Sequence, residues 1–346
     1  MTPTKAVGAD TAKAAPTRKR TPKVPVPEIS IIIPTYQRAD RLPALLDDVA
    51  NQTLDQKRFE VVVVDNCSTD NTSEVVEKLA TTLPFRLRVV RTPVNRGPAA
   101  ARNLGWRSAT APLLAFLDDD CTPEPTWLET GLAAMLAMPK VGVLQGQTKA
   151  PPEEYLGPNC RYGPPNWYVF RIIDKPTAQF EACNIFYRRE VFEETGGFDE
   201  NLGWWGEDTA AGWRVLEAGW ERAFAEDVIV VHPVEPRGWR WYMKNGLLER
   251  NNIRLAAEHP GFRNEGFWRP WAVRREDLAF LIGIVGVLGA LRFRPALLLA
   301  LPYIWWQRPS IRKASFFRLC YQIPALDAAR ALGHWQGSIE NRIFVI

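Results

Sequence analysis

The sequence predicts an α/β protein with a mostly parallel sheet flanked by helices. Two observations support this fold class. Short apolar runs rich in β-branched residues alternate with helical segments between residues 29 and 117, which is the rhythm of a parallel sheet covered on both faces. These runs also lack the polar–apolar alternation of half-exposed strands, so we expect them to be buried on both sides.

Local signals mark where the first elements begin and end. Pro34 interrupts the first strand, Asp70 or Thr72 can cap the second helix, and Gly97-Pro98 opens the third. The predicted strands are 29–33, 59–64, 87–90 and 113–117, and the helices between them are 42–49, 70–79 and 99–109.

The second half of the chain is less regular. A Pro-rich loop over 151–165 is long for a compact domain, and such loops are usually functional or mobile. Around it, the predicted strands are 141–147, 180–187 and 228–231, and the predicted helices are 206–218 and 239–258.

Charge and cysteine content exclude several classes of protein. The net charge is +4 over residues 1–28, −7 over 29–268 and +7 over 269–346, and an acidic body argues against nucleic acid as a partner. The five cysteines are scattered without a Cys-x-x-Cys pair, which indicates reduced thiols in a cytoplasmic protein. Residues 1–28 have no apolar segment, so we expect a disordered basic tail and no secretory signal.

Residues 261–346 are predicted to form a helical region appended to a catalytic domain at 29–260. Residues 278–291 hold no charge over 14 positions, and Arg-Phe-Arg-Pro at 292–295 separates them from the apolar run 296–306. Fourteen helical residues reach about 21 Å, short of the roughly 30 Å hydrocarbon core. The two runs therefore favour peripheral contact of 278–306 with the inner face of the cell membrane, whose anionic lipids attract the flanking cations. The alternative is a buried helical hairpin packed on the catalytic domain.

Acidic residues stand where buried strands end. Three aspartates, Asp118–Asp120, follow the fourth strand, and this arrangement is costly unless a cation neutralises it. Carboxylate oxygens suit Mg²⁺ or Mn²⁺ bound with a phosphate, and His232 ends another strand as a candidate third ligand. Thr35 and Asp65 end the first two strands, and ligands of parallel sheets sit beyond those ends. A solvated acidic turn and a structural histidine are the alternatives.

Glu207 and Asp208 open a predicted helix directly after the aromatic pair Trp204-Trp205. Carboxylates in a first helical turn are stabilised by the helix dipole and can serve only as caps. The functional interpretation is a general base that takes a proton from a sugar or alcohol hydroxyl. The tryptophans would then stack against a sugar or lipid acceptor.

Six motifs, in this order, resemble those of family 2 glycosyltransferases, which have the GT-A nucleotide-sugar fold. Several are weak singly, but six in sequence are specific, and they cover about residues 29–235. The motifs are IIIPTYQR (31–38), VVDNCSTD (63–70), NRGPAAARN (95–103), FLDDDC (116–121), GGFDE (196–200) and WWGED (204–208). Residues 1–28 and 260–346 lie outside the shared core.

The resemblance implies a role for each matching residue. Asp208 would be the catalytic base, and Asp120 and His232 would hold Mg²⁺ or Mn²⁺ across the diphosphate. Asp118 is similar to the first acid of the Asp-x-Asp motif, and the triple aspartate leaves the register of Asp119 open. The residues implied to contact the substrates are Thr35, Tyr36, Arg38, Asp65, Arg96, Arg102, Asp118, Asp119, Glu207, Trp204 and Trp205.

The resemblance therefore implies a metal-dependent, inverting glycosyltransferase. It would move a sugar from a nucleotide-diphosphate sugar to a hydroxyl of a saccharide or lipid-linked acceptor, in cell-envelope polysaccharide or glycolipid synthesis. One alternative is a sugar nucleotidyltransferase, although the glycine-rich phosphate loop expected after the first strand is missing at residues 34–39. The other is a catalytically degenerate nucleotide-sugar-binding scaffold at the membrane, which the intact acidic set disfavours.

Overall fold

The computed structural model describes residues 26–152, 162–163, 168–169, 172–203, 205–236, 238–307 and 323–345. The predicted basic tail up to residue 25, most of the predicted loop 151–165, and Trp204 lie outside these ranges. Within them the chain is an α/β protein with helices on both faces of a mixed sheet.

Eleven strands are described, eight of them in one sheet ordered β3-β2-β1-β4-β9-β6-β10-β5. The strands are β1 (Ile29–Thr35), β2 (Phe59–Asp65), β3 (Arg86–Arg91), β4 (Leu113–Leu117), β5 (Thr122–Pro123), β6 (Val141–Lys149), β7 (Tyr162–Gly163), β8 (Tyr168–Val169), β9 (Asn184–Arg188), β10 (Glu221–Val231) and β11 (Glu235–Pro236). β1 to β4 pair in parallel, as do β6 and β10. β9 runs antiparallel between β4 and β6, and β5 runs antiparallel to β10.

Helices cover the sheet and make up most of the C-terminal region. They are α1 (Leu42–Ala50), α2 (Thr72–Leu79), α3 (Pro98–Ser108), α4 (Trp127–Ala137), α5 (Arg189–Thr195), α6 (Glu207–Glu217), α7 (Trp239–Leu247), α8 (Arg250–Glu258), α9 (Pro260–Gly266), α10 (Arg275–Gly289), α11 (Leu301–Trp306) and α12 (Ile323–Glu340), with a 3₁₀ helix at Arg294–Ala300.

Alternate residues of the central strands face opposite sides of the sheet and build two apolar cores. Ile32 and Val62 pack into one core, and Ile31 and Val61 pack into the other; all four are fully buried. This two-residue period within continuous apolar runs is the behaviour expected of strands covered on both faces. Burial on both faces holds these strands in place, and with them the strand ends that precede the acidic residues.

The predicted strand 180–187 begins later than expected, at Asn184. Residues 180–183 instead form a loop, and two of its backbone N–H groups donate to α6: the Phe180 amide to Thr209 Oγ1 at 3.2 Å, and the Ala182 amide to Asp208 Oδ2 at 3.2 Å. The predicted helix 239–258 is divided into α7 and α8, and α4 and α5 were not predicted.

The C-terminal apolar runs form a helical hairpin of α10 and the 3₁₀ helix. The arms approach closely at Gly286, where a Cβ atom would come within 2.7 Å of the Ala296 carbonyl oxygen. The outer part of the hairpin is exposed, with Leu288 61%, Leu291 87% and Leu298 64% accessible. Among the described residues, no helix combines the length and the apolarity needed to span a membrane.

Candidate active site

The candidate site is built at the carboxyl ends of β1, β2 and β4. The backbone amide of Asn66 donates to the Thr35 carbonyl at 2.8 Å, which joins the ends of β1 and β2. Gln37 occupies the left-handed backbone region with φ 55°, and its amide donates to Ser68 Oγ at 2.9 Å. Tyr36, which precedes Gln37 in this turn, is 39% exposed.

A buried guanidinium connects two acidic parts of the site. Arg102 on α3 has a side chain only 6% exposed, and it donates to Asp118 Oδ1 at 2.8 Å and to Glu207 Oε1 at 2.9 Å. Its guanidinium also lies 5.7 Å from the ring centroid of Phe198. Burial opposes the charge of Arg102, but Asp118, Glu207 and Asp208 outweigh it and raise the Arg102 pKa. The site is therefore organised around a permanent buried cation.

Asp119, the middle aspartate of the three, lies among other negative charges. Burial raises the pKa of Asp119 to about 6, the nearby Thr35 hydroxyl and the charge of Arg38 oppose the rise, and Asp118 and Asp120 add to it. The Arg38 Nε atom lies 3.5 Å from Asp119 Oδ1. Adjacent carboxylates that repel one another in this way form a ready position for a further cation.

Asp120, Cys121 and His232 place one potential ligand atom each within 4.8 Å of one another. The His232 Nε2 atom lies 3.7 Å from Asp120 Oδ1, and its Nδ1 atom is 2.8 Å from the Pro233 carbonyl oxygen. Burial lowers the pKa of His232, but the Asp120 carboxylate outweighs it and the net direction is upward. The Pro233 carbonyl orients the ring with Nε2 facing Asp120, as carbonyl groups do for histidines that bind metals.

These residues fit a divalent cation. The carboxylate of Asp120 and the imidazole of His232 are oxygen and nitrogen donors that suit Mn²⁺ and Mg²⁺. Cys121 was not predicted in this cluster. Burial raises the pKa of its thiol well above the usual value, so the thiol is protonated and is a weak ligand at neutral pH.

Asp208 is fixed at the first turn of α6. Its Oδ1 atom accepts from the Thr209 amide at 2.8 Å, and its Oδ2 atom accepts from the Ala182 amide at 3.2 Å. Gly206, with φ 91°, allows the sharp entry into the helix. The carboxylate stays half-buried, so it remains accessible from solvent.

Glu207 lies next to Asp208 but in a different environment. Burial raises the pKa of Glu207 to about 7, the neighbouring Asp208 adds to the rise, and Arg102 opposes it. Its side chain is 7% exposed. Glu207 is thus a buried partner of Arg102, and Asp208 is the more accessible carboxylate.

The predicted donor-binding residues differ in their positions. Asp65 is fully buried and accepts from the Ser68 amide at 2.8 Å and from the Ser73 hydroxyl, and its Oδ2 atom lies 3.4 Å from Arg91. The Arg96 side chain is 63% exposed and pairs with Glu200 at 3.0 Å. The contact of either side chain with a nucleotide stays a prediction.

Residues outside the predicted set hold the site together. Asn184 accepts from the Trp127 indole at 2.8 Å and donates to the carbonyls of Gln147 and Val228, each at 2.9 Å. It thus ties β6, β9 and β10 at the level of the cluster. No local sequence signal singles out such a residue, because its partners lie far apart in the chain.

The pH dependence of stability should carry a contribution from Glu207. Because its pKa rises from 4.5 to about 7 on folding, the folded chain binds a proton more tightly than the unfolded chain between these pH values. This contribution to the free energy of unfolding is therefore present at low pH and is lost as the pH rises through about 7. Glu207→Gln removes it, so denaturant unfolding at pH 5 and at pH 7.5 should differ less in the variant than in the wild type. The exposed-site control Glu226→Gln should follow the wild type, and equal pH slopes in all three chains would contradict the assignment.

Comparison with known proteins gives a consistent family. The family model described as Glycosyl transferase family 2 matches residues 30–196. Glycosyltransferase AglE of Haloferax volcanii is 33% identical over 219 residues, which cover 62% of this chain and 69% of that protein. Validoxylamine A glucosyltransferase of Streptomyces hygroscopicus subsp. jinggangensis is 31% identical over 271 residues, covering 70% of this chain and 64% of that protein, slightly under two thirds of its length.

Solved structures match the fold over most of the chain. The mannosyltransferase PcManGT from Pyrobaculum calidifontis, in complex with GDP-Man and Mn²⁺, has a TM-score of 0.58 at 21% identity, covering 90% of this chain and 87% of that one. Staphylococcus aureus TarS 1-349, in complex with UDP-GlcNAc, has a TM-score of 0.50 at 20% identity, covering 91% and 92%. At these identities the likeness confirms the GT-A fold.

Proposed function

This chain belongs to glycosyltransferase family 2, and we propose that it transfers a sugar from a nucleoside-diphosphate sugar to an acceptor hydroxyl, with inversion at the anomeric carbon. One observation carries the proposal. Asp120 and His232 converge at the carboxyl ends of β4 and β10, and Arg102 connects the adjacent Asp118 to Glu207, the neighbour of Asp208. A cation site and a candidate base are thereby joined in one buried network.

The donor class is supported by the acidic cluster and by the structural neighbours. Asp120 and His232 would hold Mn²⁺ or Mg²⁺, which would neutralise the charge that develops on the leaving diphosphate. The two neighbours described above were solved with GDP-Man and with UDP-GlcNAc. Thr35 and Arg38 stand at the end of β1 beside Asp119, and with the intervening Tyr36 they would meet the nucleotide.

Asp208 is the proposed general base. Its two oxygen atoms are held by the Thr209 and Ala182 amides, which orient the remaining lone pairs. A carboxylate held in this way can accept a proton from the attacking hydroxyl. Inversion needs one such base, because the hydroxyl displaces the diphosphate directly and no covalent sugar–enzyme intermediate forms.

We also propose that the acceptor is lipid-linked and that the hairpin of α10 and the 3₁₀ helix contacts the inner face of the cell membrane. Phe293 and Leu297 are 64% and 53% exposed on this hairpin, and Trp305 on the following helix α11 is 60% exposed. Arg292 and Arg294 are exposed at its tip. Exposed apolar and aromatic side chains next to cations are the composition of an interfacial anchor on anionic lipid.

The proposal is tested by calorimetric titration with nucleotides and nucleotide sugars, with and without Mn²⁺. We expect one nucleoside diphosphate to bind in a Mn²⁺-dependent manner. Asp120→Ala should weaken this binding by more than about tenfold, because even groups that only support a metal ligand are worth about 10–100-fold in metal affinity. Asp47→Ala, on the exposed surface of α1, is the matched control and should bind as the wild type does. A folded wild-type chain that binds no nucleotide would contradict the proposal.

A further inference from the structure

A groove of about 730 Å³ lies between α10 and α12, outside the catalytic cluster. Its size falls within the roughly 300–1,000 Å³ usual for small-molecule sites. Aliphatic and aromatic side chains form its walls, chiefly Phe280, Leu281, Ile284, Leu332, Trp335 and Ile339. Because apolar cavities stay dry and take up apolar ligands, these walls require an apolar occupant.

The outer end of the groove continues into the exposed apolar surface of the hairpin. Ile284 lines the groove and is 39% exposed. Farther along α10, Val285 and Leu288 are 62% and 61% exposed, and after the helix ends Leu291 is 87% exposed and is followed by the exposed Arg292. An apolar strip that ends in cations is complementary to hydrocarbon beneath anionic headgroups. The groove is therefore open toward the surface that we assign to the membrane.

The inner end of the groove is polar. His334 is 1% exposed and Asp277 is 3% exposed, and both line the groove. Within the described part of the chain, the two ring nitrogens of His334 and the Asp277 Oδ2 atom have no hydrogen-bond partner. The nearest carboxylate to His334 Nε2 is that of Glu249, at 3.8 Å. Buried polar side chains without a hydrogen bond are rare, and these two, whose Nδ1 and Oδ2 atoms lie 4.0 Å apart, indicate where the polar part of a ligand would lie.

Helix α8 connects this polar end to the segment that precedes Asp208. Glu249 immediately precedes α8. Two residues later, Asn251 donates to the carbonyl oxygens of Leu202 and Trp205 at 3.0 Å and 2.9 Å. Trp205 lies three residues before Asp208. The polar end of the groove is thus connected to the segment before Asp208, and its apolar end is connected to the hairpin.

We propose that this groove binds the hydrocarbon chain of the lipid-linked acceptor, and that the saccharide-bearing head leaves the groove at its polar end toward Asp208. The acceptor assignment rests on the proposed function, whereas binding of a hydrocarbon chain does not. A polypeptide segment fits this groove less well, because its backbone amides would face walls that offer no hydrogen bonds. A hydrocarbon chain carries no such groups.

The test fills the groove. Ala331 is a small groove-lining residue on α12, so Ala331→Trp occupies the space without removing a side-chain hydrogen bond. We expect the purified full-length variant to bind a fluorescent hexadecyl probe at least about tenfold more weakly than the wild type, because buried methylenes supply the affinity. Nucleotide binding and the melting temperature should match the wild type. Leu291→Gln, at the exposed hairpin tip, is the control: it should keep probe affinity and lose co-sedimentation with phosphatidylglycerol vesicles.

Two competitors distinguish the possible lipids. Displacement of the probe by hexadecyl glucoside, a single chain with a saccharide head, supports the acceptor assignment. Displacement by phosphatidylglycerol alone overturns it. Equal probe binding by wild type and Ala331→Trp overturns the groove itself. Absence of nucleotide binding by the wild type would instead contradict the proposed function. The probe measurement would still show whether the groove binds a hydrocarbon chain.

Discussion

Asp208→Asn should lower kcat by about 10²–10⁴-fold, the usual contribution of a general base. The asparagine side chain has nearly the same shape, but its amide nitrogen cannot accept the proton of the attacking hydroxyl. Donor affinity should stay within about twofold, because a base that acts on the acceptor contributes to the transition state more than to donor binding. Initial rates with saturating donor, together with calorimetric donor affinity, measure the two quantities separately.

Two controls make the Asp208 result specific. Asp227→Asn changes an exposed aspartate on β10 in the same chemical way and should leave kcat unchanged. The Ala182 and Thr209 amides both donate to Asp208, and an asparagine can accept only through its one oxygen, so thermal unfolding must show that the variant is folded. A folded Asp208→Asn chain that retains more than about a tenth of wild-type kcat would exclude Asp208 as the base.

The sequence predicted the parts of the fold that depend on local pattern. β1, β2 and β4 stand within two residues of the predicted ends, because continuous β-branched runs and the residues that terminate them are local signals. The antiparallel β9 was outside such reasoning, since an apolar run does not encode the direction of its neighbour. Its start at Asn184 depends on the backbone amides of Phe180 and Ala182, which donate to Thr209 and Asp208 on α6.

The candidate site, too, could be predicted from the sequence only where the signal is local. Asp118–Asp120 and His232 could be singled out because each follows a buried strand, and Asp120 and His232 do meet in the structure. The role of Arg102 was predicted only as donor binding, whereas it is buried between two carboxylates. One of these, Glu207, lies 105 residues away in sequence. A pairing across that separation follows from the sheet topology, which brings α3 and α6 together, and not from any local spacing.

Arg102→Met should be the most destabilising single change in the site. The methionine keeps much of the side-chain volume but leaves Asp118 and Glu207 without the cation that they share at 2.8 Å and 2.9 Å. Removing one partner of a buried ion pair typically costs about 3–5 kcal/mol, because the remaining charge stays desolvated and unpaired. We expect a loss of this size in the free energy of unfolding at pH 8, where the Glu207 carboxyl, with its pKa of about 7, is ionised in the wild type. Urea unfolding of both chains measures it.

Arg96→Met is the matched control, because it makes the same substitution six residues earlier in the chain, at an exposed ion pair. Arg96 is 63% exposed and lies 3.0 Å from Glu200, and exposed pairs are worth about 0–1 kcal/mol. The double variant Arg102→Met, Glu207→Gln should recover part of the lost stability, because the glutamine carries no charge to leave unpaired. Such recovery would show that the cost arises from the carboxylate rather than from packing against Phe198. An Arg102→Met chain no less stable than Arg96→Met would mean that the buried guanidinium does not hold the two halves of the site together.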